Sequence, residues 1–273
     1  MAGNNSENSL NEIVRDNRSG STELSLKVAD FYSRCSSCNG DFMKDAMGRI
    51  GSAHIGMGLV RNTNRIMFSA WENDPHSLVE ESEKLKLQIK TLSEKAVKNS
   101  PDILPDGVSV ATISNSSAVR NALVLNRKKI ARVYVLESRP GLEGQSMAEE
   151  LDRNGIDTVL MVDAAVQKAS QLAGIAICGS DSVLSDYSLV HKVGTYPLFM
   201  SMRKENRKTY SLSISLKFEA EFDGGSYPSF AVHDPREIVQ GNLEALNLYF
   251  DITPPTLITA YVTDRGIHLP RSD

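Results

Sequence analysis

No apolar run in this sequence of 273 residues approaches the ~20 residues that span a bilayer. The polar stretch 1–11 also lacks the basic start and apolar core of a secretory signal, so the cytoplasm is the expected location and no membrane role is expected. Basic charge is scarce as well. Thirty Lys and Arg against 34 Asp and Glu give a formal net charge of −4, which supplies no electrostatic reason to hold nucleic acid directly. Cysteine is rarer still: Cys35, Cys38 and Cys178 are an odd, small set, which argues against a disulfide framework. Cys35 and Cys38 form a C-x-x-C pair, but zinc takes four ligands and no second pair follows at finger-like spacing, so no metal is expected. Also missing are G-x-G-x-x-G after a strand, G-x-x-x-x-G-K-[ST] and G-x-S-x-G, the fingerprints of dinucleotide binding, triphosphate binding and the serine nucleophile elbow. No cofactor is expected.

What remains is the composition of an ordinary globular protein, 41% hydrophobic and 23% charged, long enough for one or two domains. Over the first hundred residues the periodicity is helical. Leu78, Leu85, Ile89, Leu92 and Ala96 recur at one face of a helix among charged residues. Leu24, Val28 and Phe31 share a face over Ser21 to Ser33, and a Met- and Gly-rich stretch from Met43 to Met57 reads as a further helix leading into a turn. The breaker-rich run Pro101 to Gly107 marks the expected domain junction, giving domains at 1–105 and 106–273.

After that run the pattern changes. Val108 to Ile113, Val133 to Leu136, Thr158 to Val162, Ile175 to Cys178 and Tyr210 to Ile214 read as strands, alternating with helices that begin near Ser117, Ser146, Asp163 and Thr195. Strands separated by one helix each require crossovers, so the expected fold is α/β: an N-terminal helical domain, then a doubly wound, mostly parallel sheet. Ligands of such sheets bind beyond the carboxyl ends of the strands.

The loops at those ends carry the unusual residues. Thr112-Ile113-Ser114-Asn115-Ser116-Ser117 offers hydroxyls and free backbone N–H groups at a helix start, suited to an anion or simply to helix capping. Glu137-Ser138-Arg139-Pro140-Gly141-Leu142-Glu143-Gly144-Gln145 places an Arg beside two glycines. Cys178-Gly179-Ser180-Asp181 puts a carboxylate just past a strand, where it is an acid or base, a hydroxyl-binding group or a loop cap. His191-Lys192-Val193-Gly194-Thr195 follows, with a Lys ahead of a helix start. Together these loops favour a small ligand bearing phosphate and hydroxyls, most simply a sugar phosphate.

Thr112-Ile113-Ser114-Asn115-Ser116, Glu137-Ser138-Arg139-Pro140, Gly179-Ser180-Asp181-Ser182-Val183-Leu184, Lys192-Val193-Gly194-Thr195-Tyr196 and the closing Phe250 to Thr259 segment resemble, in order, the motifs of the initiation factor two-B α, β and δ subunit family. That superfamily also holds the methylthioribose-1-phosphate and ribose-1,5-bisphosphate isomerases. The resemblance covers about Val108 to Gly266, and more weakly the Arg18-Ser19-Gly20-Ser21 turn. It implies an N-terminal helical domain and a Rossmann-like domain that forms a homodimer, a phosphorylated small molecule as ligand, and a translation initiation factor as a possible partner. It further implies Arg18, Gly20, Asn115, Ser116, Arg139, Gln145, His191 and Lys192 as ligand-binding positions. The isomerases use a cysteine after the first sheet strand and an aspartate in the Gly-x-Asp motif. Carried over, those catalytic positions are Ser114 and Asp181.

Three positions depart from the isomerases: Ser114 replaces the cysteine, Gln145 stands where they carry a basic or ligand-binding residue, and His191 stands where Asn precedes Lys192. A hydroxyl ionises far less readily than a thiol, and nothing beside Ser114 in sequence supplies a base. The expectation is therefore a regulatory protein that binds a sugar phosphate or nucleotide without appreciable catalysis. The rival is an aldose–ketose isomerase acting on a ribose-1-phosphate derivative.

Overall fold

The structure is a computed structural model describing residues 2–228, 230, 232–241 and 243–270. It divides into two compact units, Met1–Thr91 and Leu92–Asp273. The first unit holds helices α1 (Ala2–Arg15), α2 (Ser21–Ser33), α3 (Gly40–Ala53) and α4 (Gly58–Asn73) and most of α5 (Leu78–Lys98). The face read from the sequence in α2 is the buried one, with Leu24, Val28 and Phe31 in the core. Asn39 caps α3 by accepting from the Phe42 N–H at 2.9 Å. Tyr32 donates to Asn64 at 2.8 Å, and Asn64 donates onward to the Met47 carbonyl at 2.9 Å, binding α2, α3 and α4 through buried polar groups. Helix α4 escapes a periodicity search because its buried face includes Arg61, Thr63 and Asn64. Helix α1 escapes it because Leu10 and Ile13 are its buried apolar residues among polar neighbours.

The division falls inside α5, ahead of the Pro101 to Gly107 breakers. The reason is that the helix runs on without interruption, and Val97 near its end packs against the apolar cluster of the second unit. That unit contains strands β1 (Val108–Ile113), β2 (Ile130–Leu136), β3 (Thr158–Met161), β4 (Ile175–Cys178) and β5 (Ser182–Val183). They are followed by β6 (Leu189–Lys192), β7 (Lys208–Leu212), β8 (Phe250–Thr253), β9 (Ala260–Thr263) and β10 (Gly266–His268). Its helices are α6 (Ser117–Leu125), α7 (Glu143–Arg153), α8 (Val166–Leu172) and α9 (Thr195–Lys204). Seven strands make one sheet in the order β10-β9-β7-β4-β1-β2-β3, parallel except for the β9–β10 pair. The α/β architecture expected from the sequence is thus the one observed.

Alternation along the strands builds two cores. Val110, Val133, Val135, Ile175 and Ile177 face Val119, Leu123, Met147 and Leu151 of α6 and α7. Ala111, Ile113, Leu136, Ala176 and Cys178 face Ala169, Leu198, Phe199 and Met202 of α8 and α9. Strands β5, β6 and β8 form a separate antiparallel sheet in that order, which the helix-separated strand pattern did not announce. Its strands are short, and between β6 and β8 the chain passes through α9 and β7.

One glycine fixes how closely α7 approaches β2. A Cβ at Gly144 would lie 1.9 Å from the Leu136 carbonyl oxygen, and the Gly144 N–H donates to the Glu137 carbonyl at 3.1 Å. Gly144→Ala is therefore expected to destabilise the protein by at least about 2 kcal/mol in denaturant unfolding. Gly48, on the exposed side of α3 with open space around it, provides the contrast: Gly48→Ala should stabilise by roughly 0.5–1 kcal/mol. Similar effects of the two substitutions would contradict the close contact.

Candidate functional site

Strands β4, β1 and β2 are neighbours and run parallel, so the loops after Ile113, Leu136 and Cys178 leave the sheet at the same edge. The chain turns one way from β1 to β2 and the other way from β1 to β4. The crevice between Ser114–Ser116 and Gly179–Asp181 is therefore the topological switch point, where open α/β sheets take their ligands. Backbone strain collects in the same place: Ser114 and Ser138 have φ of 68° and 66°, in the left-handed region that side-chain-bearing residues rarely adopt.

Hydrogen bonds hold these loops. The Ser114 N–H donates to the Ser138 hydroxyl at 2.7 Å, and the Ser138 hydroxyl donates to the Leu136 carbonyl. Asp163 receives the backbone N–H groups of Ser138 and Arg139 on its two oxygens, at 2.8 and 2.7 Å. The Arg139 peptide is thereby fixed, while its side chain is exposed. Ser116 is the N-cap of α6 and accepts from the Val119 N–H at 3.5 Å. Asn115 accepts from Arg120 at 3.1 Å, and Gln145 is half-buried in the first turns of α7.

Asp181 and His191 come together. The His191 Nδ1 lies 2.9 Å from Asp181 Oδ2, both residues buried, while His191 Nε2 is buried without a hydrogen-bond partner among the described residues. A Cβ at Gly179 would meet the Ser116 hydroxyl at 2.6 Å and the His191 ring at 3.2 Å. The imidazole therefore sits beside the switch-point loops. Burial opposes the charge of Asp181, but the His191 hydrogen bond and the charges of His191, Lys217 and Lys192 outweigh it and hold the carboxyl below its ordinary value. Lys217 is buried, donates to the Ser180 carbonyl at 2.5 Å and is pushed down by desolvation against the opposing effect of Asp181.

Lys192 is drawn elsewhere: its ammonium lies 2.7 Å from Glu143 Oε1 and 4.8 Å from the Tyr249 ring centroid. Arg18 and Gly20 belong to the first unit. There Asp16 receives the Arg18 and Ser19 N–H groups and the Lys27 ammonium, which orders the turn, and Gly20 precedes α2 as its N-cap. Glu143, Lys217 and Asp251 were not singled out by the sequence, and Asp163 only as a helix start. Glu143 lay inside a loop already conspicuous for Arg139, whereas Lys217 is far from Asp181 along the chain and carries no local signal. Among the described residues no cluster of three or more His, Cys, Asp or Glu could hold a metal, and no helix is long and apolar enough to cross a membrane.

Asp251 pairs in register with His191 across β6 and β8 and receives the Gly194 and Tyr196 N–H groups on one oxygen at 2.8 and 3.1 Å. Its other oxygen is buried without a partner among the described residues. Desolvation exceeds these favourable contacts and raises its pKa from 3.8 to about 6. A carboxyl raised in the folded state favours folding at low pH, and that advantage is lost as pH rises from about 4 through about 6. Asp251→Asn, which cannot ionise, should accordingly gain stability relative to the unsubstituted protein between pH 4 and pH 8, on the order of 2 kcal/mol. Parallel melting-temperature profiles for the two proteins across that range would rule out the buried charge as the cause.

Residues 46–270 match the Initiation factor 2 subunit family, IF-2B. A Pyrococcus horikoshii protein designated translation initiation factor eIF-2B subunit 2-like is 31% identical over 173 residues, covering 63% of this chain and 61% of that protein. Ribose 1,5-bisphosphate isomerase of Pyrococcus furiosus is 27% identical over 192 residues, covering 65% of this chain and 59% of the isomerase. The chain thus spans about three fifths of the length of these two relatives. The crystal structure of translation initiation factor eIF-2B from Pyrococcus horikoshii superposes with a TM-score of 0.89 over 97% of both chains at 23% identity, a likeness of fold. Since the family match takes in the whole seven-stranded sheet and every loop at its carboxyl edge, the chain belongs to the initiation factor 2 subunit family.

Proposed function

We propose that this chain is a regulatory member of its family that binds a sugar phosphate or nucleotide at the carboxyl edge of the sheet, in the cytoplasm and in connection with translation initiation. What supports the reading is the switch-point crevice beside the strained Ser114 turn and the α6 N-terminus, with the Ser138–Arg139 turn tied to Ser114 next to it and the Arg139 side chain exposed. An anion placed there gains backbone N–H donors and a guanidinium fork. The regulatory emphasis rests on chemistry. Ser114 carries a hydroxyl where the isomerases have their cysteine, and the one thiol in this sheet, Cys178, is buried in the apolar core, where desolvation raises its pKa.

The second reading, an aldose–ketose isomerase, is favoured by the Asp181–His191 pair. A carboxylate that orients an imidazole whose other ring nitrogen has no partner among the described residues is a proton-transfer arrangement. The two readings separate by experiment. A phosphosugar present at a hundredfold its dissociation constant should stabilise the protein by about 2.7 kcal/mol, and Arg139→Ala should remove most of that shift, because a charge-assisted hydrogen bond contributes roughly 1.5–3 kcal/mol. Asp181→Asn should alter affinity modestly in a protein without appreciable turnover. Conversion of ribose 1,5-bisphosphate or methylthioribose 1-phosphate by the unsubstituted protein, lost in Asp181→Asn, would replace the regulatory reading by the isomerase.

The same reading includes a homodimer through the second unit, since isologous dimers are the commonest closed assembly and this unit leaves Leu243 and Leu246 each 70% exposed. Sedimentation at micromolar concentration should give a dimer, and Leu243→Glu with Leu246→Glu should weaken it. A monomer across that range would remove the dimer from the proposal.

A further inference from the structure

The basic groups at the carboxyl edge differ in what they have left to offer an anion. Arg120 is held by Asn115 at 3.1 Å and Glu150 at 2.6 Å. Lys217 is buried against the Ser180 carbonyl and the charge of Asp181. Lys192, the lysine placed ahead of the α9 N-terminus, has a side chain only 9% exposed and meets Glu143 at 2.7 Å. The carboxylate of Glu143 lies over the bare Gly141 backbone: a Cβ at residue 141 would fall within 2.7–3.0 Å of it. Glu143 is also the first residue of α7, where the helix dipole favours its charge. Its second oxygen is buried with no donor among the described residues, so the Lys192 ammonium is the partner its charge relies on. Arg139 is left as the exposed cation of these loops without an ion pair among the described residues.

We propose that Glu143 masks Lys192 and thereby denies the site the cation that a second phosphate would need, so that a ligand with two phosphates gains nothing over one with a single phosphate. The proposal rests on the phosphosugar reading above and deepens it. One free guanidinium and the backbone donors match a single phosphomonoester. A second phosphate meets a lysine already paired, and the Lys192–Glu143 pair offers it no net positive charge. Replacing Glu143 by the isosteric Gln removes the charge, keeps the shape and releases the ammonium.

The test is isothermal titration with ribose 5-phosphate and ribose 1,5-bisphosphate against the unsubstituted protein, Glu143→Gln and the double variant Glu143→Gln with Lys192→Met, each confirmed folded by its melting transition. The unsubstituted protein is expected to bind the two probes within about threefold of each other, because the second phosphate finds no free cation. Glu143→Gln should favour the bisphosphate by roughly ten- to a hundredfold more than before, and the double variant should lose that gain. Binding of both probes with the same ratio in Glu143→Gln, or a strong preference of the unsubstituted protein for the bisphosphate, overturns the role of Glu143 alone. Binding of neither probe by any of the three proteins overturns the phosphosugar reading and this inference with it.

Discussion

The candidate site depends on the parallel pairing of β1 with β2 on one side and β4 on the other. Parallel neighbours place their carboxyl ends at one edge, and the reversal of direction at β1 prevents the flanking loops from covering each other. Ser114–Ser116, Ser138–Arg139 and Gly179–Asp181 are far apart along the chain, yet each leaves the sheet at this edge. The two apolar cores keep the strands in register: a slip of one residue would exchange the α6–α7 face with the α8–α9 face and bury the wrong side chains on both.

The second constraint is electrostatic. Asp181, His191, Lys192, Lys217, Glu143 and Asp251 form a group of ionisable side chains drawn from loops, β6, β8 and the start of α7, several of them buried. Charges removed from water are tolerated only when paired or hydrogen-bonded. Asp181 satisfies this through His191, and Lys192 through Glu143. Asp251 satisfies it less well, since only one of its oxygens has donors among the described residues. The three-stranded sheet of β5, β6 and β8 brings His191 and Lys192 to the carboxyl edge of the larger sheet, and these two pairs join them to residues of that edge.

The polar groups at this edge differ in how far the protein already holds them. The hydroxyl of Ser114 lies in a strained turn whose backbone N–H is held by Ser138, and Cys178 points into the core. The imidazole of His191, by contrast, is oriented by Asp181 on one side, and its other nitrogen has no partner among the described residues.

The sequence by itself determined the fold class and the principal loops. β1 and β4 were read with their observed limits, as were α2 and the starts of α6 and α9, because short β-branched runs, a clear apolar stripe and N-capping residues are local signals. The positions of Ser114, Arg139 and Asp181 just past strands were legible for the same reason. Only the tertiary structure decided which of these groups meet. That Asp181 binds His191, that Lys192 is taken up by Glu143, that Lys217 is buried against the Gly179–Asp181 loop and that Asp251 lies opposite His191 are consequences of sheet order and of the antiparallel β6–β8 register. Ion pairing and desolvation act through space over a few ångströms, and the chain's linear order carries no record of those distances.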